Sequence, residues 1–159
     1  MEEVYKILDN LGIKYQKFEH PAVYTVDEAD GLNLGIDGAK NKSLFLRNAK
    51  GDKHYLVMLN GEKRLDLIKL QNLLNETRLS FASLERLLKY LKLTPGSVSP
   101  FGLINDVGRE VHAVVDNELL IYQNLAFHPN INTQTIALSV PDFKKYLESS
   151  GNKISYLDL

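Results

Sequence analysis

The chain has no cysteine, which excludes disulfides, thiolate catalysis and cysteine-ligated metal together. No apolar run approaches the ~20 residues that a membrane-spanning helix needs. The opening residues, Met1-Glu2-Glu3-Val4-Tyr5-Lys6, are charged and amphipathic where a signal peptide would carry an apolar centre. The expectation is a cytoplasmic protein that engages neither membrane nor DNA. Glycine-rich phosphate loops, nucleophile elbows and zinc signatures are also missing. The four histidines, His20, His54, His112 and His128, are widely scattered, and His54 and His112 fall within β-strand runs as ordinary strand side chains. No linker, low-complexity stretch or repeat interrupts the chain. Its 159 residues therefore read as one domain, residues 1–159, large enough to bury a core without staples.

What is present is ordinary in bulk and uneven in detail. Hydrophobic residues at 44% and charged residues at 25% place the chain among soluble globular proteins. The net charge of −1 conceals twelve basic against five acidic residues between positions 40 and 92, a local +7 balanced by −8 elsewhere. Clustered positive charge on a nearly neutral chain suits a phosphate-bearing ligand. The same residues also read as the solvated faces of two helices.

Val4, Ile7, Leu8 and Leu11 recur at helical spacing, and Gly12 stops the helix, predicted over residues 2–11. Tyr15 to Phe18 reads as a short strand ended by His20-Pro21. Thr25-Val26-Asp27-Glu28 has the form of a capping box. Lys42–Asn48 and His54–Leu59 read as a hairpin across the turn Ala49-Lys50-Gly51-Asp52. Helical periodicity runs from Leu65 to Leu74, an extended piece from Arg78 to Phe81, and a Ser83-capped helix through Leu91 that Thr94-Pro95-Gly96 breaks. A second hairpin is expected from Val111–Val115 and Leu119–Tyr122, turning at Asp116-Asn117. Thr133–Leu138 is a further strand. The last helix starts at Ser139, carries Pro141 just inside and stops at Gly151. This irregular mixture predicts an α+β fold with a mixed or mostly antiparallel sheet.

Three segments carry the candidate chemistry. In Lys42-Ser43-Leu44-Phe45-Leu46-Arg47, strand alternation leaves a long cation at the mouth of an apolar surface. Its ammonium is a compact charge with three donors, suited to a terminal phosphate or a polarised ester carbonyl. Lys40, two residues earlier, would face the same side. Either lysine is equally an ordinary surface residue at a strand end. In Gly96-Ser97-Val98-Ser99-Pro100-Phe101-Gly102, glycine allows close backbone approach to a ligand and proline fixes the chain direction. The same pair is also common in plain turns. In Phe127-His128-Pro129-Asn130-Ile131-Asn132-Thr133, a histidine before proline is commonly a loop residue, and Asn132 and Thr133 are suited to fixing the loop by hydrogen bonds.

In this order and over most of the chain, the three segments resemble the prolyl-tRNA editing family (YbaK-like). That family comprises the editing domain inserted in bacterial prolyl-tRNA synthetases and its free-standing relatives, which hydrolyse amino acids wrongly esterified to tRNA(Pro). Gly96 to Pro100 resembles the family's G-x-x-x-P loop, continued by Phe101-Gly102-Leu103-Ile104-Asn105-Asp106 as in the free-standing members. His128-Pro129 and Asn132-Thr133-Gln134-Thr135 resemble its His-Pro segment and N-T-x-T, and His20-Pro21 also recurs. The resemblance implies a curled, barrel-like mixed β-sheet flanked by helices. It implies a deacylase with no metal and no organic cofactor. Lys42 and the backbone of Gly96, Ser97, Val98, Ser99 and Pro100 would form the catalytic centre. The loop would position water and stabilise the oxyanion, with the substrate ribose hydroxyl assisting.

By the same resemblance His128 lines the amino-acid pocket, and Phe45, Leu46, Phe101, Asn105, Asn132 and Thr133 accompany it as substrate-binding residues. A sieve formed near His128, Val98, Phe45 and Leu46 is expected to admit alanine and exclude proline. A proline pocket cannot reject alanine strongly, since one missing methylene is worth only ~1–3 kcal/mol. The partners implied are the tRNA(Pro) acceptor end and prolyl-tRNA synthetase. Two alternatives stay open: a Cys-tRNA(Pro) deacylase, and a non-catalytic tRNA- or synthetase-binding module of the same fold.

Overall fold

The computed structural model describes residues 1–22 and 39–159. Helix α1 (Glu2–Asn10) carries Glu2 and Glu3 in its first turn, where the helix dipole favours negative charge, and buries Val4 and Leu8. Gly12, at φ +70°, turns the chain into β1 (Tyr15–Glu19). The capping box at Thr25–Glu28 lies outside the described residues.

Strands β2 (Ala39–Arg47) and β3 (His54–Asn60) pair antiparallel from Asn41↔Asn60 to Arg47↔His54, the hairpin expected. Asn48 builds its turn: the side-chain oxygen accepts from the N–H groups of Gly51, Asp52 and Lys53 at 2.9, 3.1 and 3.2 Å. Helix α2 (Leu67–Leu74) is capped by Asp66, which accepts from the Lys69 N–H at 3.0 Å. Strand β4 (Ser80–Phe81) leads to α3 (Leu84–Leu91), capped by Ser83. The last helix, α4 (Val140–Ser150), has Ser139 as its cap, proline in the first turn and Gly151 at φ +74° closing it. Each of these caps satisfies an N–H that the first helical turn leaves unpaired.

The second hairpin is a correction. Strand β5 (Val111–Asp116) forms, but Asn117–Ile121 is a 3-10 helix. Asp116 is the cause: its buried carboxylate accepts from the N–H groups of Glu118 and Leu159 and from the Lys63 ammonium. The chain therefore winds into a capped turn and does not fold back. The apolar run from Leu119 to Tyr122 had no periodicity that separates a strand from a helical turn. Two further strands were not expected. They are β6 (Asn124–Phe127), which pairs with β7 (Gln134–Ser139), and β8 (Ile154–Leu157), which lies parallel to β5.

The strand order is β1-β7-β6-β2-β3-β5-β8, with β4 on β2. The pairs β2·β6, β3·β5 and β5·β8 are parallel and the others antiparallel, so the fold is α+β with a mixed sheet. The sheet turns at β2, which pairs with β6 at Ala39–Lys40 and with β4 at Leu46–Arg47 along the same edge. One face bears the main core, including Phe45, Phe101, Phe127, Phe143 and Tyr146. The other bears a smaller cluster of Leu46, Tyr55, Val57, Leu59 and Leu70, with α2 contributing Leu70. Burying each such side chain contributes ~1.5–3 kcal/mol. Among the described residues no helix is long and apolar enough to cross a membrane.

Candidate active site

The register of the sheet brings the candidate residues together. The parallel pair β2·β6 ends at Lys40↔Ala126, and Lys42 and His128 stand two residues further along each strand. Beyond that point β6 stops, and β4 joins β2 only at Leu46. The edge of β2 is thus without a strand partner between them among the described residues. Side chains alternate along a strand and share a face with their register partners. Lys40, Lys42, Ala126 and His128 therefore lie on the face opposite Phe45 and Phe127. Ala126↔Ala137 and Phe18↔Thr135 extend that face through β7 to β1, and His20, two residues past Phe18, completes it.

The histidines are fixed by backbone. The His128 Nδ1–H donates to the Gln134 carbonyl at 2.9 Å, since a carbonyl can only accept. Burial, with a smaller contribution from His20, holds the His128 pKa below the ordinary histidine value although the Gln134 carbonyl favours the cation. His20 donates from Nδ1 to the Pro21 carbonyl at 2.8 Å, and in the neutral ring its Nε2 accepts from the Thr135 hydroxyl at 2.9 Å. The two rings lie 5.9 Å apart, tilted by 51°. They form an oriented wall.

The Gly96–Pro100 loop is clamped to this wall through Asn130. Gly96 takes φ +84°, which glycine adopts without steric cost. The fully buried Ser99 hydroxyl donates to Asn130 Oδ1 at 2.9 Å and accepts from the Phe101 N–H at 3.1 Å. Asn130 returns a hydrogen bond from Nδ2 to the Phe101 carbonyl at 3.1 Å. The Tyr146 hydroxyl donates to the Pro100 carbonyl at 2.8 Å, and complete burial raises its pKa. Among the described residues the Val98 and Ser99 N–H groups have no hydrogen-bond partner. They are donors available to a developing negative charge.

Lys42 supplies the charge of the site. It is half-buried, desolvation lowers its pKa, and among the described residues no carboxylate or hydrogen-bond acceptor meets its ammonium. A cation held out of water without a counter-charge favours binding an anion.

The chain is similar to known proteins. The aminoacyl-tRNA editing domain family matches residues 20–146. The chain belongs to that family. It is 44% identical over 152 residues to the prolyl-tRNA editing protein ProX of Acetoanaerobium sticklandii, covering 96% of this chain and 93% of that protein. It is 32% identical over 146 residues to prolyl-tRNA synthetase associated domain-containing protein 1 of Bos taurus, with 89% and 85% covered. The crystal structure of a hypothetical protein superposes with a TM-score of 0.76 at 20% identity, covering 97% of each chain, a likeness of fold.

Within this editing fold the residues expected to accompany His128 lie in different surroundings. Phe45 and Leu46 are both buried, on opposite faces of β2: Phe45 in the main core with Val98 against it, Leu46 in the smaller cluster with no exposed surface. One sieve cannot contain both, because adjacent strand residues point opposite ways. Phe101 is fully buried against Tyr146 and Phe127, and so supports the loop from beneath. The Asn105 side chain donates to the Leu91 carbonyl at 2.8 Å, closing the end of α3. Thr133 offers its carbonyl to the His20 N–H at 3.0 Å, and Asn132 is half-buried beside it. Asn130 was missed as the joint between the two loops. Its signal was present, since an asparagine after His-Pro tolerates the left-handed backbone that it adopts here at φ +64°.

Proposed function

We propose that this editing protein hydrolyses Ala-tRNA(Pro), the product of a mischarging prolyl-tRNA synthetase, and that it receives the acceptor end at the face shared by Lys42 and His128. The reaction is ester hydrolysis. Water adds to the alanyl carbonyl carbon, a tetrahedral oxyanion forms, and the bond to the ribose oxygen breaks to release alanine and tRNA.

The observation that carries this reading is the partly desolvated Lys42, without a counter-charge among the described residues, at the opening between β6 and β4. A terminal phosphate is the counter-charge that it lacks. The Val98 and Ser99 N–H groups support the remaining step, since fixed donors aimed at a developing oxyanion need no reorganisation. His128 and His20 are already committed to backbone and Thr135, which suits walls of the amino-acid pocket. The substrate ribose hydroxyl takes the role that a protein base would otherwise fill.

The test is deacylation of Ala-tRNA(Pro) and Cys-tRNA(Pro) by the purified protein beside Lys42→Ala. Turnover of the alanyl ester that disappears in the variant is expected. Preferential turnover of the cysteinyl ester would move the specificity, and tight tRNA binding without turnover of either would overturn the enzymatic reading.

A further inference from the structure

A second positively charged depression lies away from the candidate site. It is a cleft of about 460 Å³ at the start of the parallel strands β3, β5 and β8, lined among others by Lys53, Arg109, Lys153, His112, Ser155 and Glu110. The three long cations are exposed at its rim. None of them is in an ion pair among the described residues, and Glu110 is the single carboxylate in the lining. At the floor, His112 Nε2 and Ser155 Oγ lie 2.8 Å apart in a hydrogen bond. Burial, and then Lys153, push the His112 pKa down to about 4. The ring is therefore neutral at pH 7, and the charge of the cleft resides on its rim.

Arg109 is held at that rim by the fold. It adopts φ +52°, and its guanidinium lies over Gly151, where an added Cβ would come within 2.7 Å of Nε. Gly151 thus closes α4 and also leaves room for the arginine.

The cleft shares a sheet face with Lys42. Lys42 is paired with Leu59 and His112 with Tyr55, and Leu59 and Tyr55 both belong to the smaller core cluster beside α2. Along β3, Leu59 and the cleft residue Tyr55 are four residues apart on that face, ~14 Å at ~3.4 Å per residue. That is the axial rise of on the order of four nucleotides, at ~3.4 Å each along one strand of a duplex. Exposed cations on a rim suit a backbone passing over the cleft better than a small molecule enclosed in it.

We propose that this cleft is a second RNA contact, in which Lys53, Arg109 and Lys153 take phosphates of the acceptor stem as it leads away from Lys42. The proposal rests on the reading of the chain as a tRNA deacylase. Phosphate contacts of this kind position the substrate without reading its sequence, so the cleft would set affinity and register while the Lys42 face performs the chemistry.

The test compares the native protein with Arg109→Glu/Lys153→Glu, and with the milder Arg109→Gln/Lys153→Gln in case charge reversal impairs folding. Binding of uncharged tRNA(Pro) is measured against salt concentration, and deacylation on full-length Ala-tRNA(Pro) and on a short aminoacylated CCA-ended oligonucleotide. The expected result is about tenfold or greater weakening of tRNA binding and a salt slope reduced by about two. Loss of kcat/KM should be at least about fivefold larger on the full tRNA than on the oligonucleotide. If the native protein binds and turns over tRNA and both variants match it, or lose activity equally on the two substrates, the cleft proposal alone falls. If the native protein neither binds nor turns over tRNA, the cleft proposal falls together with the functional reading.

Discussion

At the far end of β2, Arg47 donates to the carbonyls of Asn48 and Ala49 at 3.1 and 2.9 Å, and the adjoining turn is saturated by Asn48. At the near end of the same strand Lys42 has no acceptor among the described residues, and burial lowers its pKa. A third cation sharpens the contrast. Lys63 is also partly buried, but it donates to Asp116 and Glu118 at 2.8 and 3.0 Å, and those carboxylates raise its pKa. Where the fold supplies the counter-charge, the cation stabilises the chain. Where it withholds one, the cation is available to a ligand.

Lys42→Ala should lower kcat/KM for Ala-tRNA(Pro) by about 10³-fold, in the range for loss of a group that stabilises transition-state charge. The melting temperature should barely move, because no folded-state partner is lost. Equal losses of stability in Lys42→Ala and Arg47→Ala, by thermal melts, would dissolve the contrast. Lys63→Met should do the reverse: it strands the buried Asp116 carboxylate and should cost about 3 kcal/mol of stability, read by denaturant unfolding, with deacylation per folded molecule retained.

Ser99→Ala tests the joint between the two loops. It orphans Asn130 Oδ1 and the Phe101 N–H, and should cost about 2 kcal/mol together with about a tenfold fall in kcat. A stability loss with unchanged kcat would make the joint purely structural.

The smallest expected effect is on pH dependence. His54 and His112 both titrate near 4 in the folded chain, chiefly through burial and then through Arg86 and Lys153 respectively. Their ordinary value is 6.5, so the unfolded chain binds the protons first as pH falls. Their contribution is complete above about pH 6.5 and is lost as pH falls toward 4. Unfolding monitored across that window should show a shallower acid loss in His112→Gln. Lys63 has the opposite sign: its contribution is complete below the unfolded value of 10.5 and disappears as pH rises through the higher folded value.

Elements with their own punctuation were readable in the chain. Ser83, Asp66 and Ser139 mark helix starts by side chains that accept the first free N–H groups, a local interaction that needs no distant partner. The three candidate segments stood out by their resemblance to a family, since each alone also reads as an ordinary strand end, turn or loop. The run from Leu119 to Tyr122 was misread because Asp116 takes its partners from Lys63 and Leu159, 53 and 43 residues away. The expected sieve needed a finer level of detail: alternation alone separates Phe45 from Leu46, but which side faces the candidate site depends on where β6 stops.

Sequence by itself determined the α+β class, the capped helices and the β2–β3 hairpin, because propensity, capping and turn chemistry act within a few residues. Tertiary structure alone decided that β6 ends one residue before the position in register with Lys42, and that Asn130 ties the glycine loop to the histidine wall. It also decided which cations find carboxylates and which do not. Those outcomes are set by pairings between segments tens of residues apart, whose register no local pattern encodes.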